Sequence, residues 1–348
     1  MKIIHCADVH LGSQMKKLPR DKSDERAREL RATFERMIAY AKREGISCIL
    51  LAGDVFDGDR PFKKDKEFFY GAVRRNPEIA FYYLRGNHDG MESYTEQIDN
   101  LYTFGEEWTR YTLGENVALY GIETTAGNCV SLYSSLKPDP NEVNIVMLHG
   151  QEGESFGECA VNIPKLKNKG IDYLALGHVH TYRCEKLDAR GAWAYSGCLE
   201  GRGFDETGEK GFAVYDTVDR TVRFVPFALR TVVEKDVDIS GAQNGYDALG
   251  AVKAGVAVDT KNLLRLNLTG EIPFIDEALA ADVEKYVSGT CYFVSVKDRT
   301  KLKIDYSALE DSLSLKGEFV RLALAEDMDG DDRQKIIDLG LKALTGSL

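Results

Sequence analysis

Six short apolar runs, each bounded by glycine or polar residues, constrain this chain more than any other feature. They lie at 2–8 (KIIHCAD), 48–56 (CILLAGDVF), 80–86 (AFYYLRG), 117–123 (VALYGIE), 144–150 (NIVMLHG) and 172–178 (DYLALGH). Runs of this length, apolar at successive rather than alternate positions, predict buried strands whose C-terminal ends carry loops. Between the first two runs, Ala27, Leu30, Phe34, Met37, Ile38 and Ala41 recur at spacings of three and four. That spacing predicts a helix over about 24–44 with one buried face. From 192 the texture becomes WAYSGC and then GFAVYDTVDRTVRFVPFAL, where Asp219-Arg220 separates two strand-forming runs and predicts a hairpin closing the domain near 230.

The texture then changes. Strand-like segments at 232–239, 263–269 and 291–296 alternate with helix-like ones at 247–254 and 276–287, and the remainder reads as helical. The expected organisation is a first domain over 1–230, a smaller α/β accessory domain over 231–306 and a helical tail over 307–348. Within 308–325, Leu309, Leu313, Leu315, Phe319, Leu322 and Ala323 form a stripe expected to be core of the second domain.

At 348 residues, 43% hydrophobic and 29% charged with 8 prolines, the chain has the makeup of an ordinary globular protein and not of a disordered or fibrous one. Seven scattered cysteines with no CxxC pair argue against a disulfide framework or a zinc-thiolate site. The opening MKIIHCADVH lacks the regions of a secretory signal, and no apolar run approaches the roughly 18 residues of a membrane span. The expected compartment is the cytoplasm, with no membrane partner. The net charge of −11 weighs against binding a polyanion through bulk charge, so any such substrate has to be met by a local basic face or by bound metal.

The polar residues at the strand ends are Asp8 and His10 in DVH, Asp54 and Asp57 in GDVFD, Asn87, His88 and Asp89 in GNHD, His149 in LHG, and His178 and His180 in GHVH. Five of the six histidines belong to this set; the sixth, His5, lies on a strand and reads as structural. Alone, DVH or GDVFD is more often a strand-end turn than a site, GHVH is either equally, and His149 is more often a core or turn histidine than a ligand. Together they should converge, because ligands of open α/β folds bind beyond the carboxyl ends of the strands. Carboxylate, imidazole and amide donors suit manganese, iron or zinc better than calcium. Two such ions sharing a carboxylate would clamp a phosphate and activate a water.

The five motifs resemble those of the calcineurin-like metallophosphoesterases. The opening HCADVHLG, the Arg60-Pro61 that follows GDVFD, and the later YSGCLEGRGFDETGEKGF (195–212) are similar to the SbcD-type DNA repair exonucleases of that superfamily. The likeness covers about 1–230. It implies an α/β (α+β) fold, a four-layer α/β/β/α sandwich with a second, smaller α/β domain and a helical tail. It implies two divalent metal ions, Mn2+ foremost with Fe or Zn as alternatives. Asp8, His10 and His180 would hold one and Asn87, His149 and His178 the other, with Asp54 between them. His88 would protonate or stabilise the leaving oxygen, oriented by Asp57 or Asp89. The implied activity is a two-metal phosphodiesterase acting as a 3′→5′ DNA exonuclease, with endonuclease activity possible, in a complex with an SbcC-type coiled-coil ATPase and as a possible homodimer.

Charge distribution bears on the substrate. Residues 11–45 hold ten Lys/Arg against six Asp/Glu, and residues 60–75 hold six against two, a local surplus of eight directly after two of the motifs. Lys16, Lys17, Arg20, Arg60, Lys63 and Lys64 are the expected phosphate contacts, while intrahelical pairing accounts for part of the surplus. Tyr82, Tyr83 and Tyr94 could stack on bases, though 82 and 83 fit strand core better. The competing readings are a small-molecule or cyclic-nucleotide phosphodiesterase and a non-catalytic scaffold for a partner ATPase. A phosphoprotein phosphatase of this superfamily would show GDxVDRG and GNHE instead of the GDVFD and GNHD found here.

Overall fold

The computed structural model describes the chain apart from residues 16–17, 91–92, 95, 155–156, 158, 257–259, 304–311 and 346–348. Its contacts divide it into two compact units: Met1–Glu234 with Val258–Arg265 and Ser288–Val294, and Lys235–Ala257 with Leu266–Val287 and Ser295–Leu348.

The first unit is built from β1 (Lys2–Cys6), α1 (Arg20–Arg43), β2 (Cys48–Ala52), α2 (Lys63–Arg74), β3 (Ala80–Leu84), β4 (Leu101–Thr103), β5 (Thr109–Gly114), β6 (Val117–Gly121), β7 (Val143–His149), β8 (Tyr173–Gly177), β9 (Arg183–Lys186), β10 (Ala192–Tyr195), β11 (Gly211–Asp216) and β12 (Thr221–Pro226). They form two six-stranded sheets, β12-β11-β1-β2-β3-β4 and β9-β10-β8-β7-β6-β5. The strands β1, β2 and β3 run parallel, joined by α1 and α2, and β6, β7, β8 and β10 are parallel in the other sheet.

Successive side chains of a strand point to opposite faces, and here both faces are covered. Ile3, Leu50, Ala52 and Leu84 meet Leu119, Ile145, Met147 and Ala175 between the sheets. On the other face of the first sheet, Ile4, Ile49, Leu51, Phe81 and Tyr83 pack against Leu30, Phe34, Met37 and Phe69 of the two helices. The outer face of the second sheet is capped more thinly, by the single turns Leu132–Ser135 and Ile163–Leu166, against Val146, Leu148, Leu174 and Trp193. The architecture is the expected α/β/β/α sandwich, with a slender fourth layer. Tyr82 and Tyr83 are core residues, and Tyr94 packs beside them with its hydroxyl donating to the Tyr83 carbonyl, so none offers a free stacking face.

Further along, β13 (Val232–Asp238), β14 (Leu263–Thr269) and β15 (Phe293–Asp298) form a three-stranded sheet in that order. The helices α3 (Gly245–Gly255) and α4 (Leu279–Val287) belong to the second unit, as do α5 (Leu315–Ala325) and α6 (Gly330–Thr345). The last two pack through Val320, Ala323 and Ile337, with the Phe319 ring lying where a side chain at Gly340 would stand. This corrects the expected stripe. Leu313, Leu315 and Leu322 are 101, 72 and 61% exposed, because α6 covers the side of α5 that carries 320 and 323, and Leu313 precedes the helix. Leu309 lies outside the described residues. Among the described residues no helix is long and apolar enough to cross a membrane.

Candidate metal centre

The strands β1, β2 and β3 stop short of their motifs, whereas His149 is the last residue of β7. β1 ends at Cys6, β2 at Ala52 and β8 at Gly177, and the chain then enters left-handed backbone at Asp8 (φ 52°), His10 (50°), Asp54 (54°) and His178 (99°). These are four of the seven non-glycine residues with positive φ among those described. Such conformations cost energy and persist where surrounding bonds enforce them. Here Asp8 N–H donates to Gly53 O (3.0 Å), His10 N–H to Asp54 O (2.9 Å) and Leu11 N–H to Val55 O (2.8 Å), zipping the first two motif loops together. The buried Asp89 carboxylate accepts from the N–H groups of Val55, Phe56 and Gly86, pinning the second loop to the third. Asp89 is therefore a brace for the loops and does not face His88. At Gly53 and Gly86 only glycine fits: a Cβ would come within 2.1 Å of His149 Nδ1 and 2.2 Å of Asp54 Oδ1.

The motifs converge. His10 Nε2 and His180 Nε2 face each other at 3.2 Å, with Asp8 Oδ1 4.0 and 3.8 Å from them. Asn87 Oδ1 lies 3.0 Å from His149 Nε2 and 2.9 Å from His178 Nδ1. Asp54 stands between the two groups, its Oδ2 3.7 Å from His10 Nε2 and 3.5 Å from His149 Nε2, while its Oδ1 accepts from His88 N–H (2.8 Å). Two of the far ring nitrogens, those of His149 and His180, are hydrogen-bonded to acceptors, and the third, of His10, has a carboxylate nearby without a hydrogen bond to it. His149 Nδ1 is 2.9 Å from Ala52 O, His180 Nδ1 2.7 Å from Glu206 Oε1 and His10 Nδ1 3.2 Å from Asp57 Oδ1. That leaves the Nε2 lone pairs of His149 and His180 aimed at one cleft beside His10 Nε2, the arrangement by which proteins orient imidazole for metal ligation. Two such nitrogens 3.2 Å apart repel unless a proton or cation lies between them. The donor set, oxygen and imidazole nitrogen from buried Asp8, His10, Asp54 and His149, fits two divalent cations of the manganese, iron and zinc type.

The electrostatics agree. Burial raises the Asp8 carboxyl to about 6, against the pull of His149 and His180, and burial lowers His10 to about 4. Burial also acts to raise Asp54, but His149, His10 and the His88 N–H outweigh it and hold that carboxyl well below its usual range. For His149, burial acts downward, yet the Asp54 hydrogen bond and the charges of Asp54 and Asp8 lift it to about 9. A proton drawn so strongly to this carboxylate pair occupies the lone pair that a divalent cation would take, so the two compete.

His88 sits at the rim, its side chain 48% exposed, and its backbone is fixed by Asp54. Asp57 lies 3.9 Å from His88 Nδ1 but only 3.2 Å from His10 Nδ1, with Arg202 Nη1 at 3.4 Å, so it serves His10 more closely than His88. His5 is buried in the sheet, 2.6 Å from the Tyr173 hydroxyl, and faces no part of the site.

The basic residues separate into two kinds. Arg26 and Arg31 are committed to the buried carboxylates Glu200 and Asp65, and Arg75 reaches Glu35. Arg20 and Arg60 are exposed, and Arg60 lines a cleft of 640 Å³ together with Arg85, Asn87, Glu123 and His149. Lys63 stands 3.6 Å from Glu67, and Lys64 lies over the Phe62 ring. Lys16 and Lys17 lie outside the described residues. Three residues at the centre were not singled out from the sequence: Arg202, Glu206 and Lys210, in the glycine-rich stretch after β10. They lie within the stretch 195–212 that resembles SbcD-type nucleases, and as residues their signal is a run of charges set among Gly201, Gly203 and Gly208.

A family model for calcineurin-like phosphoesterases matches residues 1–182, a span that holds all five motifs. The chain belongs to that family. Within it, the chain is 25% identical to the DNA double-strand break repair protein Mre11 of Sulfolobus acidocaldarius, over 91% of each. It is 30% identical to the uncharacterized metallophosphoesterase YhaO of Bacillus subtilis, over 70% of this chain and 64% of that one. A subunit of the nuclease SbcCD of Rhodobacter capsulatus is 33% identical over 26% of this chain and 22% of that relative. This calcineurin-like phosphoesterase thus spans nearly all of the first relative, under two thirds of the second and about a fifth of the third.

Proposed function

We propose that the chain is a two-metal phosphodiesterase, a 3′→5′ DNA exonuclease with endonuclease capacity, working as the nuclease component of a DNA repair complex. The observation that carries the two-metal reading is Asp54, whose Oδ2 faces both ligand groups at 3.7 and 3.5 Å. Asp8, His10 and His180 would hold one ion and Asn87, His149 and His178 the other. When bound, manganese ions there would acidify a water and neutralise charge on the phosphate. The chain's own residues do the rest. Asp54 keeps His88 at the rim through its backbone N–H, where the imidazole can give a proton to the leaving oxygen. Asp57 lies behind the ring of His10, and Arg20, Arg60, Lys63 and Lys64 are the described cations offered to the DNA backbone.

DNA is favoured as substrate by the relatives named for double-strand break repair and by the one named as part of the nuclease SbcCD. A coiled-coil ATPase partner accords with the leucines left uncovered on α5, and we read the chain as cytoplasmic and able to dimerise. The second reading, a small-molecule phosphodiesterase, draws support from Arg26, Arg31 and Arg75, which are engaged within the protein and reduce the basic surplus available to a polyanion. The scaffold reading is disfavoured because the donor set is complete. The test is hydrolysis of duplex DNA, single-stranded DNA and bis-p-nitrophenyl phosphate in parallel with manganese. Cleavage of duplex or single-stranded DNA is expected; turnover of the small ester alone, with an ATPase partner present, selects the second reading.

A further inference from the structure

The two halves of the centre are backed differently. In the half of Asn87, His149 and His178, the far nitrogen of His149 meets a neutral backbone carbonyl, that of Ala52. In the half of Asp8, His10 and His180, the far nitrogen of His180 is hydrogen-bonded to the Glu206 carboxylate at 2.7 Å, and that of His10 lies 3.2 Å from the Asp57 carboxylate without a hydrogen bond. A carboxylate behind an imidazole makes the ring a more basic ligand and locks its orientation.

The Glu206 carboxylate is itself held. Arg202 donates to Oε1 from Nη2 at 2.7 Å and from Nε at 3.2 Å, and its backbone N–H donates to Oε2 at 2.7 Å. The same guanidinium reaches Asp57 Oδ1 at 3.4 Å, so one arginine steadies the carboxylates behind both imidazoles. Arg202 Nη2 is also 3.2 Å from His180 Nδ1, but the carboxylate at 2.7 Å is nearer, which assigns the ring proton to Nδ1 and leaves Nε2 facing Asp8. The loop grips the backbone of His180 as well: buried Lys210 donates from Nζ to its carbonyl at 2.8 Å. Arg202, Glu206 and Lys210 lie beyond the span that the family model matches.

We propose that Glu206, anchored by Arg202, is a positioning residue that makes the Asp8–His10–His180 half the tighter of two unequal metal sites. The inference rests on the two-metal reading above and specifies its order of loading.

The test is titration of the chelator-stripped, full-length protein with manganese chloride, following free Mn2+ by its paramagnetic resonance signal. The wild type is expected to take up two equivalents in two resolved steps. Glu206→Gln, nearly isosteric, should weaken the tighter step about 10–100-fold and leave the weaker one in place, as loss of an outer-shell partner does. Arg202→Gln should weaken the same step, by about tenfold or more on the same grounds. Circular dichroism and thermal unfolding check that the variants fold, and either variant suffices should the other fail to. Two steps in the wild type that both variants leave unchanged, or shift equally, would overturn the positioning role. A wild type that binds fewer than two equivalents would overturn the two-metal reading instead.

Discussion

The sandwich and the C-terminal helical pair use the same kind of apolar sequence to opposite ends. In the sandwich, the apolar strand residues are absorbed by three clusters, and every motif at a strand end is drawn into one cleft. In the pair α5 and α6, Val320, Ala323 and Ile337 close a small core while Leu315 and Leu322 face outward. Burial on both faces holds the strand ends in place, and with them the motif residues that follow. A two-helix pair covers one side only, and Leu315 and Leu322 stay exposed.

The sharpest way to break that contrast is at the strand ends. Asp54→Ala should abolish phosphodiester hydrolysis, since its Oδ2 faces both ligand groups, while leaving the thermal transition of the sandwich cooperative. Retention of full turnover by this variant would remove the shared carboxylate from the account. His88→Gln should slow turnover about 10²–10⁴-fold, as loss of a general acid does, with metal content unchanged by elemental analysis. Loss of one metal equivalent would make His88 a ligand and not a proton donor.

The remaining contrast is one of stability. Phe34→Ala, in α1 against the first sheet, should destabilise the protein by about 3–5 kcal/mol in urea unfolding, through lost burial and the cavity left behind. Leu322→Ser, at an exposed position, should stay within about 0.5 kcal/mol. Comparable effects at the two positions would mean that α5 is covered in the free protein.

Six strands and α1 are legible in the sequence as apolar runs and one amphipathic helix, while the four-layer arrangement is what the family resemblance implies. The runs at 2–8, 48–56, 80–86 and 172–178 extend past the C-terminal ends of their strands, and for a physical reason: each takes in a glycine or motif residues that leave the strand, some of them in left-handed backbone. The edge strands β4 and β5 were missed because one is three residues long and the other is only half-buried. The motif residues were legible as a set, but their supports were not. Arg26 reads as one more solvated charge on α1, yet it is fully buried because Glu200, remote in sequence, meets it there. Glu206 is equally silent until the fold brings it to His180. The reversal on α5 has the same origin, since the helix pattern marks an apolar stripe but not which part of it a partner helix will cover.

The central claim is that one carboxylate, Asp54, is shared by two ions. Paramagnetic resonance of the protein loaded with two equivalents of Mn2+ tests it directly, because ions held about 3.5–4 Å apart couple magnetically. The account predicts a multiline, exchange-coupled spectrum in the wild type that Asp54→Ala abolishes. Two independent six-line signals at saturation, or a single bound ion, would contradict it.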